Sequence, residues 1–201
     1  MTDTQKKPLW KNELVWLFLI TSGLFAILYS KFILGGYAYV FTDTGADTMQ
    51  INYAQYGLFS SLFRSGESGY VLQAGLGMDV SSYYPAYLIP YNLLILLAPQ
   101  RLLPWAVLAS AYLKMITISL VGYLFYRKLM QDGIGTMAAA LAWTFSGYVI
   151  LWGQHYGFCT CMALFTVFMY FLQCYLNGEQ RWKSAGLVIT VTMLLISSYY
   201  F

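Results

Sequence analysis

The chain of 201 residues is 59% hydrophobic and 19% aromatic, with only 9% charged residues and a formal net charge of +3. Ordinary soluble domains carry roughly 25% charged residues, so this composition cannot cover a water-facing surface, and lipid is the expected solvent. The eleven Lys and Arg sit singly or in short runs beside apolar segments, which argues against a nucleic-acid partner and marks them as topology signals.

Residues 1–13, MTDTQKKPLWKNE, are polar and basic and read as a cytoplasmic N-terminus. Leu14 to Ile33 is an apolar run of about 20 residues, enough to cross a hydrocarbon core about 30 Å thick. It is too long for a signal-peptide core, and no small-x-small cleavage site follows it. Residues 14–34 are therefore expected as a retained first transmembrane helix, with Lys31 snorkelling to the interface.

Residues 35–84 form a large polar loop rich in tyrosine and glycine, and four of the eight acidic residues lie in it: Asp43, Asp47, Glu67 and Asp79. Asp47 to Phe63 is expected as an interfacial helix, although Gln55 falls on the face shared by Ile51, Leu58 and Leu62. Arg64-Ser-Gly-Glu-Ser-Gly and Gly75-Leu-Gly77-Met-Asp79 read as turns.

Residues 85–201 read as a transmembrane bundle. Pro85 to Pro99 is apolar but short and interrupted by Pro90, which suits a re-entrant or interfacial segment. Leu102 to Tyr126, with Lys114 near its middle, Ile134 to Trp152 and Phe158 to Leu176 read as full crossings, and Ser184 to Phe201 begins another. With the N-terminus inside and Pro85–Pro99 not crossing, Lys6, Lys7, Lys11, Arg127, Lys128, Arg181 and Lys183 all fall inside, as the positive-inside tendency requires. The expected fold is an all-α membrane protein, a multipass helical bundle of about five crossings plus that re-entrant or interfacial segment, with a large first extracellular loop. Cys159, Cys161 and Cys174 share one apolar segment, an odd number that gives neither a disulfide framework nor a metal pattern.

The outer face then collects the loop carboxylates with Gln154 and His155. Carboxylates there could act as a general base on an acceptor hydroxyl or hold a divalent metal through oxygen ligands. Asp47-Thr-Met-Gln50 has capping-box spacing, so Asp47 is read either as a cap alone or as a cap that also does chemistry. Asp43 and Asp79 each have a plain turn reading beside the catalytic one. Lys114 costs about 2.5–3.5 kcal/mol at the centre of a crossing on insertion scales. It is expected to face inward, where it could neutralise a lipid phosphate, with snorkelling as the alternative. His155 is either an interfacial hydrogen-bonding residue or a proton shuttle. Trp143, Trp152, Tyr148 and Tyr156 read as belt and packing aromatics rather than a sugar-stacking platform.

The motifs Asp47-Thr-Met-Gln50-Ile-Asn-Tyr, Gly75-Leu-Gly77-Met-Asp79, Tyr83-Tyr84-Pro85 and Pro90-Tyr-Asn92-Leu-Leu, with Ser146-Gly147-Tyr148 and the terminal Ser-Ser-Tyr199-Tyr-Phe, occur in this order along most of the chain. The series resembles the N-terminal region of the YfhO-type bacterial membrane proteins, which are similar to glycosyltransferases of the GT-C class. The resemblance implies a multi-helix enzyme of the cell membrane taking a sugar from a polyprenyl-phosphate carrier at the outer face, for a cell-envelope polymer or lipid acceptor such as lipoteichoic acid. It implies Asp47 as the catalytic or metal-binding acid, with Gln50 and Asp79 lining the same site. Asp43 is a further candidate acid, and Tyr83, Lys114 and His155 are candidate substrate contacts. Such proteins are several times longer than this chain, so an N-terminal portion is expected. A lipid or small-molecule transporter and a non-catalytic assembly subunit are the competing readings.

Overall fold

The computed structural model describes residues 12–41, 47–67, 69–72, 77–81, 88–130, 132–179 and 181–197. These residues are mostly helical. Helix α1, Glu13–Leu28, starts at Asn12, whose side chain accepts from the Leu14 N–H at 3.1 Å. The chain leaves helical geometry at Tyr29 and resumes as α2, Ser30–Leu34. The first apolar run is thus helical over the expected residues, with one joint.

A π-helical turn, Thr48–Tyr53, runs into α3, Ala54–Ser65, which closes on Gly66 at φ 73°. That left-handed geometry carries no Cβ penalty for glycine, and it ends the helix where the Arg64–Gly69 turn was expected. A small ladder follows that the sequence reading did not anticipate. Strand β1, Tyr70–Val71, pairs antiparallel with β2, Met78–Asp79, Tyr70 opposite Asp79 and Val71 opposite Met78.

Helix α4, Pro90–Leu97, has eight residues, about 12 Å at 1.5 Å per residue, well short of a hydrocarbon core of roughly 30 Å. Ala98, held before Pro99, is extended, because the proline ring disfavours helical geometry in its predecessor. Its carbonyl is taken up by α3, accepting from Ser60 Oγ at 2.7 Å.

A 3-10 turn, Gln100–Leu102, leads into α5, Leu103–Leu129. Helix α6, Gly133–Thr144, is followed by α7, Gly147–Leu151, and a 3-10 turn, Trp152–Gln154. Then come α8, Tyr156–Leu176, and α9, Arg181–Ser197. Among the described residues three stretches are long and apolar enough to cross a membrane: Gln100–Leu129, Gly133–Gln154 and Tyr156–Leu176, of 30, 22 and 21 residues. Glu13–Leu28 and Trp182–Ser197 are apolar but shorter. The middle stretch is jointed at Phe145 and Ser146, where Ser146 turns extended at ψ 153°, and a Ser-Gly pair is a common site for such a break.

Helix α5 is the hub, packing on α1, α4, α6 and α8, and α9 packs on α8. The interfaces use small polar groups, as membrane helix contacts do: Thr21 Oγ1 and Ser119 Oγ join α1 to α5 at 2.7 Å, and Trp143 Nε1 donates to Thr166 Oγ1 at 2.9 Å. Large apolar side chains instead cover the outside, Leu34 at 85% exposed and Ile134 at 82% among them, the pattern expected where lipid is the solvent.

Candidate functional site

One end of the bundle is assembled from segments far apart in sequence. Thr48 Oγ1 donates to the Gln154 carbonyl at 3.1 Å, and the Tyr39 hydroxyl donates to the Gly153 carbonyl at 3.4 Å. The Tyr156 hydroxyl donates in turn to the Tyr39 carbonyl. The Tyr156 ring stacks between Tyr39 and Tyr56, with centroids 5.9 and 5.3 Å away. The Tyr56 hydroxyl reaches Asn92 Oδ1 at 3.3 Å, which brings in α4. Gly153 permits the close approach, since a Cβ there would lie 3.2 Å from the Tyr39 hydroxyl oxygen.

Asp47 does not cap. Its backbone is already helical, at φ −58° and ψ −38°, and its side chain makes no capping hydrogen bond. A capping carboxylate has to stand outside the helix with a non-helical backbone to reach back to the N2 or N3 N–H, and Asp47 has entered the turn. Its backbone carbonyl instead accepts from Asn52 Nδ2 at 3.3 Å. Asp47 is half-buried and precedes Thr48, the residue that is tied to the Gln154 carbonyl.

Lys114 is 2% exposed, and its Nζ donates to the Tyr156 carbonyl at 3.1 Å. It faces the bundle interior from the hub helix, and the snorkelling alternative fails because the ammonium is buried rather than carried out along its stem. The acceptor is a neutral carbonyl at the start of α8. Asp47–Thr48, Gln154–His155–Tyr156 and Lys114 therefore form one continuous chain of contacts.

His155 joins the 3-10 turn to α8, half-buried, with its ring against Trp152 and Phe158 at centroid distances of 5.7 and 5.6 Å. Gln50 is exposed in the π-helical turn. Asp79 is exposed on β2, and its Oδ1 accepts from the Ser81 hydroxyl at 2.6 Å and the Ser81 N–H at 3.0 Å. This is the turn role its sequence context allowed. Those bonds, the hydroxyl's first, hold its carboxyl below the ordinary range, which makes Asp79 a weaker base. Asp43 and Tyr83 lie outside the described residues.

Tyr156 is a packing residue, 3% exposed, whereas Tyr148 and Trp152 are exposed at 39% and 45%. Among the described residues no three His, Cys, Asp or Glu side chains gather to hold a metal ion. Tyr39, Thr48, Tyr56 and Asn92 were not singled out as site residues in the sequence. Their contacts span 36 to 117 positions, and no local spacing encodes them.

No family model, curated protein or solved structure matches this chain.

Proposed function

We propose that the chain is a membrane glycosyltransferase-like protein of the GT-C kind, allied to the YfhO-type proteins, moving a sugar from a polyprenyl-phosphate carrier to a cell-envelope acceptor at the outer face. The observation that carries this reading is the Thr48–Gln154 hydrogen bond, 3.1 Å, which ties the turn carrying Asp47 to the turn carrying His155, next to Tyr156, whose carbonyl accepts from the buried Lys114.

In this reading Asp47 takes the proton of the acceptor hydroxyl as its oxygen attacks the anomeric carbon. The bond from that carbon to the carrier phosphate breaks, and the phosphate leaves with the electron pair, giving inversion. Lys114 supplies positive charge towards the departing phosphate, a stabilisation that gains strength in a water-excluded site. Asp47 is preferred to Asp79 as base because Ser81 already engages the Asp79 carboxylate.

Asp47→Asn is expected to cut sugar transfer from a polyprenyl-phosphate donor by about 10²–10⁴-fold, the range for a well-placed general base, with membrane insertion and thermal unfolding unchanged. Undiminished transfer would remove Asp47 from this role. One observation favours transport instead: the α6–α7 joint at Phe145 and Ser146, in a bundle that also buries Lys114, is the kind of discontinuous helix found at transporter midplane sites. Uptake of a labelled substrate into sealed vesicles without covalent change would decide for that reading.

A further inference from the structure

The opposite end of the bundle carries a built cationic site. Glu179, in the α8–α9 connection, accepts from Lys128 on one carboxylate oxygen and from Lys183 on the other. The two ammonium groups are therefore held side by side, at the end of α5 and the start of α9. Tyr170 of α8 lies beneath both, its ring centroid 5.6 Å from Lys128 Nζ and 6.0 Å from Lys183 Nζ. Trp182, 58% exposed, stands beside Lys183 at 5.4 Å. Much of each lysine side chain is covered by its neighbours, leaving 21% and 15% exposed, while both ammonium groups stay near the surface. Each ammonium has three donors, and one carboxylate leaves the group with a net charge of +1. Arg127, the residue before Lys128 on α5, is exposed.

We infer that Lys128 and Lys183, aligned by Glu179, bind the phosphate of an anionic phospholipid headgroup at the membrane surface. The geometry suits a phosphodiester, because two adjacent ammonium groups can each donate to a different non-bridging oxygen, and the exposed Trp182 is of the residue type enriched at headgroup depth. Basic pockets between transmembrane helices take lipid headgroups in this way. The chemistry is that of a phosphate group, and a free phosphate ion is the other source to be told apart. This site is independent of the glycosyltransferase reading, lying at the other end of α5.

The test is native mass spectrometry and thermal unfolding of the purified full chain, with added phosphatidylglycerol, chain-matched phosphatidylcholine or inorganic phosphate. Phosphatidylglycerol is expected to be retained and to raise the unfolding temperature, while phosphatidylcholine and inorganic phosphate leave it unmoved. Lys128→Gln/Lys183→Gln is expected to lower phosphatidylglycerol retention about tenfold or more, since each basic group near the surface contributes several-fold. Because the double variant also loses the bridge to Glu179, Glu179→Gln is the second variant. It keeps both cations and removes the competing charge, so its retention is expected to equal or exceed wild type. Equal retention of the two lipids, an equal effect of inorganic phosphate, or a fall in Glu179→Gln to the level of the double variant would each overturn the assignment.

Discussion

Lys114 is the residue whose placement is hardest to explain by stability. Among the described residues its ammonium meets a neutral carbonyl and no carboxylate, and a buried charge so placed recovers little of its desolvation cost. Lys114→Met keeps the length and packing of the stem and removes the charge. The variant is expected to unfold at the same or a higher temperature than wild type while losing most sugar transfer. A clear fall in unfolding temperature would mean that the lysine holds α8 in place and nothing more. Glu179 makes the contrasting case. Hydrogen bonds from Lys128 and Lys183 lower its carboxyl from 4.5 to about 2. A carboxyl depressed in the folded state contributes stability that is fully present above its ordinary value and is lost as pH falls towards the folded value. Wild type should thus lose stability between pH 4.5 and about 2 by an amount missing from Glu179→Gln, as read by thermal unfolding across that window.

Among the elements, the α1–α5 contact rests on the buried Thr21–Ser119 hydrogen bond, and such bonds between membrane helices average about 0.6 kcal/mol by double-mutant cycle. A cycle of Thr21→Val and Ser119→Ala is expected to return a coupling near that value, and zero coupling would show that packing alone joins the two helices. The α8–α9 contact pairs Cys161 Sγ with Ser197 Oγ at 3.8 Å and carries a steric constraint as well. A Cβ at Gly186 would stand 2.6 Å from the Phe171 ring, so Gly186→Ala should cost about 1–3 kcal/mol as overpacking, measured as loss of unfolding free energy in detergent. Elements of this kind were legible in the sequence because they are local. The apolar runs, the prolines at 90 and 99 and the glycine at 66 mark helices, their starts and their stops through backbone preferences that act within a few residues. Two features were not legible in this way. Asp47-Thr-Met-Gln50 satisfies the capping spacing, yet Asp47 is already helical and the turn widens to π geometry, while Thr48 reaches Gln154 across 106 positions, a contact that no local spacing encodes. The β1–β2 ladder escaped because two-residue strands carry no periodicity to read.

For the whole molecule, the decisive property is which end faces which side. The three long apolar stretches alternate in direction, so Lys128, Glu179 and Lys183 meet at one end while Thr48, Gln154 and Tyr39 meet at the other. On the topology we propose, the positive-inside tendency puts the lysine end in the cytoplasm and the Asp47 end outside, where the proposed lipid-linked sugar would be met. That proposal does not depend on whether α1 and α9 make complete crossings, because α5, α6–α7 and α8 alone relate the two ends. With Cys159, Cys161 and Cys174 replaced by alanine, single cysteines at positions 47, 67 and 79 are expected to react with a membrane-impermeant maleimide on intact cells. A cysteine at 183 should react only in inverted vesicles. The reverse pattern would put the carboxylates in the cytoplasm, where an outer-face transfer has no acceptor, and the proposed activity would fall with the topology.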